Sequence, residues 1–263
     1  MAGPPPVKLR VLVPVTGAFH GKLRLRRSTG TLDTEGLDRI LSPESLQAIA
    51  LARQLQPFGA DLVAVHVDIG GGEEVLREAM AHGLDQGILI GGAMLEGADA
   101  STRAATIADV YRQTGPYDAV IGPAASEFSG FTGALAAVAG HLELPCVVGV
   151  HEVRPDGNGF RIAYQSLFGD YQLHIPRPCV VLAGDLKPSH PTAWGIHDAY
   201  RVRGILRVQA DQFTVQQALT KRVRIEAVQS ESRTLEQVDG STLVRRMRSR
   251  ALIAEKADKK GGA

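Results

Sequence analysis

The sequence predicts an α/β protein: a parallel twisted sheet with helices on both faces, an antiparallel extension and a C-terminal arm. Three observations carry that prediction. Short apolar runs of strand length alternate with segments of helical period from Leu9 to about Ala139, and such alternation implies a parallel sheet covered on both faces. Glycine and alanine are plentiful while aromatic residues make up only 5% of the chain, which suits close α/β packing better than a β-sandwich. From Pro145 the rhythm changes to strand-like runs separated by turn chemistry, as in an antiparallel meander.

The bounds are compatible with this class. A chain of 263 residues, 44% of them hydrophobic, holds one large domain, or one with an appendage. A net charge of +1 makes no demand for nucleic acid or a membrane surface. Cys146 and Cys179 form no CxxC or His-paired spacing, which argues against a disulfide scaffold, a zinc site or an iron–sulfur cluster. Each precedes Val-Val, so both are expected as buried strand thiols. No apolar stretch approaches the length of a membrane span, and MAGPPPVKLR at the N-terminus has no signal-type apolar region. The expectation is a soluble, cytoplasmic protein without a transmembrane segment or a nucleic-acid partner.

Taken in order, Leu9 to Val15 (LRVLVPV) is a central strand, and Pro14 fits where it stops pairing. Lys22 to Arg27 alternates basic residues and leucine, as an exposed hairpin strand does. Ser42-Pro43-Glu44 opens a helix: serine as N-cap, proline in the first turn, an acid at the positive dipole end. That helix runs to about Gln56, with Leu46, Ile49, Ala52 and Leu55 at helical spacing. Asp61 to Val67 is the second parallel strand. Asp68 to Gly72 is a glycine-rich exit into an amphipathic helix from Glu73 to His82, with Gly83 suited to its C-terminal turn. Gln86 to Ile90 is the third strand, and a helix follows from about Ala98 to Gln113.

The stretch Pro116 to His141 (PYDAVIGPAASEFSGFTGALAAVAGH) is the centre of the functional reading. It is a buried strand to Gly122, then a loop of small residues, then a buried helix from Thr132. Unpaired N–H groups at a helix start favour an anion, and small side chains let the backbone approach a ligand. The same residues also describe a tight βα turn packed against its neighbours. Pro14 to Gly17, Val67 to Gly72 and Gly122 to Gly133 all fall at carboxyl ends of strands, where α/β proteins bind ligands. Neither GxGxxG after the first strand nor GxxxxGK[ST] is present.

Beyond Pro145, strands are expected over Cys146–Val153, Gly159–Gln165, Gln172–Ile175 and Cys179–Ala183, with a turn at Pro155–Gly159. Asp185 to Arg203 carries prolines, the single tryptophan and no period, which predicts a loop held away from the core, functional or partner-bound. Val223 to Val228 reads as another strand. Ser241 to Lys256 reads as a basic helix in an arm.

In this order the chain resembles the β subunit of electron transfer flavoproteins over residues 9 to 206. The resemblance rests on VLVPV at Val11, Ser42-Pro43-Glu44-Ser45, LVAVHVDIGGGEEVLREAMAHGLDQGILI at Leu62, GPAASEFSGFTG at Gly122 and LHIPRPCVVLAGDL at Leu173. It implies an adenine-nucleotide-binding, Rossmann-like domain over residues 1–206 and an arm over 207–263 that wraps a partner subunit. The partner is the α subunit, which holds most of the redox-active FAD. The β subunit helps cover that FAD and buries AMP, or a second FAD in bifurcating members. It passes electrons from a flavin dehydrogenase to a downstream acceptor and has no catalytic residues of its own.

Carried over by position, the nucleotide contacts are Pro14, Ser42, Pro43, Glu44, Ser45, Val67, Gly122, Pro123, Ala124, Ala125, Ser126, Ser129, Gly130, Phe131 and Thr132. The dehydrogenase-recognition loop supplies Thr192, Ala193, Trp194, Ile196, Tyr200 and Arg201, with Ile196 at the anchor position. Three departures point to a divergent branch. The loop lacks the usual acidic run and Asn-Gln, and Tyr171 and Leu182 replace a Glu/Gln and a small residue. Phe128 and Phe131 either wall an adenine or pack on the sheet. Thr132 keeps the hydroxyl of the AMP-type loop. Two rival readings are an enzyme and a stand-alone nucleotide-binding stress-type protein. The eight histidines form no HxxH, HExxH or HxGH spacing, and no GxSxG or SGGxDS is present.

Overall fold

The structure is a computed structural model that describes residues 9–26, 31–68, 72–125, 133–188, 190–201, 203–213 and 218–220. At its centre β1 (Arg10–Pro14) pairs in parallel with β6 (Asp61–Val67) on one side and β8 (Ala119–Pro123) on the other. Beyond β6 lie β7 (Gln86–Gly91) and then β13 (Ile205–Gln209), both parallel. Beyond β8 comes β12 (Cys179–Ala183), parallel to β8 and to the next strand, β9 (Cys146–Asp156). An antiparallel meander of β9, β10 (Gly159–Ser166) and β11 (Gly169–Pro176) completes the sheet. The resulting nine-stranded order is β11-β10-β9-β12-β8-β1-β6-β7-β13.

The strands alternate their side chains between two apolar layers. Val11 and Val13 of β1 and Leu62 and Ala64 of β6 face α1 (Pro43–Ala52) and α2 (Glu73–Ala81), where Ile49, Leu51, Leu76 and Met80 are fully enclosed. Leu12 and Val65 turn to the other face, against Ile107 of α3 (Ala100–Thr114) and Leu135 and Val138 of α4 (Ala134–Leu142). Covered on both sides, every residue of β8 and of β12 is buried, which is why these strands read as unbroken apolar runs.

Several expectations are refined. The basic run near Lys22 is the hairpin strand β3 (Arg24–Arg26) with β4 (Thr31–Asp33), as the alternation predicts. It is flanked by a second ribbon of β2 (Gly17–His20) and β5 (Asp38–Leu41), too short and polar to show as a pattern. The first helix gives way after Ala52 to a 3-10 turn over Arg53–Phe58, where Pro57 cannot continue an α-helix. Asp185 to Arg203 is not a patternless loop, because it contains α5 (Ala193–Arg201). β12 is not part of the antiparallel extension; its apolar run is inserted in parallel between β8 and β9, where both faces are covered. Cys179 is buried as expected, but Cys146 is exposed, because the start of β9 alternates toward a face that no described helix covers. The strand expected at 223–228 and the arm helix at 241–256 lie outside the described residues.

No described helix is long and apolar enough to cross a membrane.

Candidate functional site

The strand order reverses between β1 and β8: from β1 the chain moves outward through β6 to β7, and from β8 it moves the other way to β12. In open α/β sheets the crevice outside the carboxyl ends at such a point is where ligands bind. The register Leu12↔Val120 brings Pro14 level with Gly122 across the switch. Gly122 is there for close approach. A Cβ on it would lie 2.2 Å from Leu135 Cδ1 and 3.7 Å from Pro14 Cδ. Glycine therefore lets the start of α4 settle directly onto the strand end.

The helix termini differ in how their free amides are satisfied. Ser42 caps α1 by accepting the Ser45 N–H at 3.2 Å, and Asp99 caps α3 by accepting the Thr102 N–H at 2.9 Å. Thr192 Oγ1 caps α5 by accepting the Gly195 N–H at 3.0 Å. α2 and α4 both begin after a left-handed glycine, Gly72 (φ 91°) and Gly133 (φ 82°), with no side-chain cap. α2 carries Glu73 and Glu74 in its first turn, which complement the dipole; α4 has no acid there. Among the described helices, α4, at the switch point, is the one that begins with neither a described side-chain cap nor an acid in its first turn.

The expected nucleotide contacts divide into three groups. Pro14, Val67, Gly122 and Pro123 are buried at adjacent strand ends, and Ala124 and Ala125 rise from them toward solvent. Ser42 and Ser45 are fully buried. Their hydroxyls are spent internally, Ser42 Oγ with Thr16 Oγ1 at 2.8 Å and Ser45 Oγ accepting the Thr16 N–H at 2.9 Å. They tie α1 to the exit of β1, which leaves Pro43 exposed and Glu44 half-buried at that helix start. Ser126, Ser129, Gly130, Phe131 and Thr132 lie outside the described residues.

A polar group at the end of β6 was not anticipated. Arg103, in the first turns of α3, donates from Nη1 to the Val67 carbonyl at 2.8 Å. Burial pushes its guanidinium below the usual arginine range, while the nearby Asp68 carboxylate opposes that shift. Asp68 pairs with Arg39 of β5. His66 is buried; its Nδ1–H donates to the Val15 carbonyl at 2.9 Å, and its Nε2 has no hydrogen-bond partner among the described residues. The sequence held a signal for Arg103: one cation among small residues in ASTRAAT, opening a helix just after a parallel strand.

The second predicted surface is α5. It lies on α2 instead of projecting as a loop. Gly195 permits the contact, since a Cβ there would meet the Ala81 carbonyl at 2.6 Å, and Ala199 is buried against it. Arg77 Nη1 donates to the carbonyls of Ala199 at 2.6 Å and Arg203 at 2.7 Å, and so caps the carboxyl end of α5. Arg203 in turn bonds the carbonyls of Met80 and Leu84 at the end of α2. On the outer side Ala193, Trp194, Ile196, Tyr200 and Arg201 are all exposed, Trp194 at 71%, and Trp194 stacks on His197 at 5.4 Å.

The chain thus folds as a doubly wound α/β sheet with a crevice at its β1/β8 switch point. The match to known families is more specific. The electron transfer flavoprotein domain spans residues 29–186, more than half of the chain, and the chain belongs to that family. Subunit CarD of the caffeyl-CoA reductase–Etf complex of Acetobacterium woodii is 25% identical over 184 residues, 68% of this chain and 70% of that protein. The electron transfer flavoprotein subunit beta of Thermoanaerobacterium thermosaccharolyticum is 25% identical over 199 residues, covering 74% and 75%. That of Clostridium acetobutylicum is 29% identical over 164 residues, 62% of each. At these identities the chain is a divergent β-type member. The stack of Tyr171 on Tyr164, directly opposite on β10 with ring centroids 5.4 Å apart, accounts physically for one departure from the family pattern.

Proposed function

We propose that this chain is the β-type subunit of a two-subunit electron transfer flavoprotein. It pairs with an α subunit that carries most of the FAD, binds AMP in its own crevice, and serves a dedicated flavin dehydrogenase and a downstream acceptor. The observation that carries the nucleotide part is the uncapped, acid-free N-terminus of α4 at the β1/β8 switch point. AMP there is structural: a phosphate takes the helix amides, and the sugar and base lie across the strand ends of β1 and β6. The flavin supplies the acceptance and release of electrons; this chain's residues orient and cover it. Recognition of the dehydrogenase is assigned to α5, whose Trp194, Ile196 and Tyr200 face outward from a helix fixed by Arg77 and Arg203. Exposed apolar side chains held on a rigid element fit a docking surface.

The test is a visible spectrum and gel filtration of the chain purified alone and after co-expression with an α subunit. The chain alone is expected to lack stoichiometric flavin, and the co-expressed pair to elute together as a yellow complex. A full flavin complement on the isolated chain, or failure of the two to co-elute, contradicts the proposal.

A further inference from the structure

We infer that His66 is a hydroxyl-recognition residue of the nucleotide site, whose Nε2 accepts a hydrogen bond from the ribose of the bound adenine nucleotide. This rests on the nucleotide reading above and names a residue that the family resemblance does not supply. His66 lies near the carboxyl end of β6 and is 3% exposed. Its Nδ1 is 2.9 Å from the Val15 carbonyl. A carbonyl only accepts, so Nδ1 carries the proton and Nε2 of the neutral ring is an acceptor. That atom is buried and has no hydrogen-bond partner among the described residues. An acceptor withdrawn from water without a donor is costly.

The charged group that faces Nε2 is not a donor. Asp68 Oδ2 lies 3.6 Å away, beyond hydrogen-bond distance, and a carboxylate oxygen is itself an acceptor. That same oxygen holds the Arg39 guanidinium. Two acceptors side by side match the two O–H donors that a ribose carries on adjacent carbons. Dinucleotide-binding sheets use related chemistry, an acid at the end of the second strand taking a sugar hydroxyl. Asp68 stands at the corresponding point, directly after β6.

Location supplies the rest, because the ring lies where the sugar and base are proposed to lie, at the ends of β1 and β6. Val15, which holds Nδ1, follows directly on β1, and the two strands stay paired up to Pro14↔Val65. Two glycines meet the ring edge. A Cβ on Gly17 would be 4.0 Å from Cε1, and one on Gly72 would be 2.6 Å from Nε2. At both positions bare backbone, not a side chain, therefore borders the imidazole. Asp68 keeps 13% of its side chain exposed, so a sugar hydroxyl approaches Nε2 along that carboxylate.

The experiment titrates AMP and its two monodeoxy analogues, each lacking one ribose hydroxyl, into the nucleotide-depleted complex of the full chain with its α subunit. Binding is read by calorimetry. Wild type is compared with His66→Asn, whose amide can still serve Val15 but leaves no acceptor at the Nε2 position. His66→Gln puts an amide back at that position. In wild type, removing the hydroxyl that meets Nε2 is expected to weaken binding by about tenfold. In His66→Asn, AMP is expected to weaken by a similar factor and that analogue no further, since the pair is already broken. His66→Gln is expected to lose less. Wild type that binds both analogues as tightly as AMP overturns the inference and leaves the nucleotide reading standing. So does a His66→Asn that binds AMP normally, or one that weakens all three ligands alike, because the ring would then act only by tying β6 to β1. Nitrogen NMR of the wild-type complex with AMP keeps the test decisive where a variant fails to fold. Nε2 is expected to be unprotonated, and a proton there, making an ion pair with Asp68, overturns the inference. If wild type does not bind AMP, the nucleotide reading itself falls, and this inference with it.

Discussion

The two halves of the sheet obey different rules. In the parallel half, from β12 through β8, β1 and β6, helices cover both faces and apolar residues are buried without alternation. In the meander of β9, β10 and β11 no described helix covers one face. β10 buries Phe160 and Ile162, but Val148 and Tyr171 face solvent, and the β10–β11 turn presents Leu167 and Phe168 at 99% and 90% exposure. Hydrophobicity alone thus means core in the first half and not in the second. What differs is the number of layers above each strand, and the crevice forms where the fully layered half reverses direction.

The sharpest way to break this comparison is to truncate one large side chain in each half. Leu12→Ala, at a fully enclosed position of β1, is expected to cost about 2–5 kcal/mol in urea unfolding. Phe168→Ala, at the turn, is expected to change stability by less than about 0.5 kcal/mol. Similar losses at both sites would show that the turn is packed against something and that the contrast is wrong.

The legibility of the sequence follows the same division. LRVLVPV, DLVAVHV and Tyr117 to Gly122 announced their strands because two-sided burial leaves an unbroken apolar run. The Ser42-Pro43 helix start, Gly83 and the turn at residues 157–158 were legible from local backbone chemistry. The place of β12 was not, since an apolar run does not state which neighbours it has. α5 was hidden by the prolines before it and by a buried face reduced to Ala199, beside the half-buried Gly195. At the candidate site, position was readable and partnership was not. Ser42 and Ser45 do sit at the end of β1, yet nothing in the sequence reveals that Thr16 takes their hydroxyls. His66 was visible only as a single residue, and its significance depends on which atoms the fold leaves without partners.

An intermediate effect is expected at α5, where apolar residues are exposed on a rigid element. Ile196→Ala should weaken coupling to the dehydrogenase by about tenfold, the equivalent of ~1.4 kcal/mol, while melting temperature and flavin content stay unchanged. A lowered melting temperature with normal coupling would mean that Ile196 packs within the complex and does not serve as a docking anchor.

The smallest effect sharpens the account of the parallel half. The Asp99 carboxylate is held well below the usual range, first by the Thr102 N–H and further by Thr220. A depressed carboxylate pKa stabilises the fold above the ordinary value of about 4, and that contribution is lost as pH falls. Asp99→Ala should therefore cost about 1 kcal/mol at neutral pH, and the gap from wild type should close on acidification. A gap that is independent of pH would show that the cap does not act through the charged form.

The central claim is that the β1/β8 crevice holds one adenine mononucleotide beside a flavin carried mainly by the α subunit. It is tested most directly by acid extraction of the co-purified two-subunit complex, with chromatographic quantitation of every nucleotide released. The account predicts AMP and FAD in equal amounts, one of each per complex. Two FAD and no AMP, or a single FAD with no second nucleotide, would contradict it.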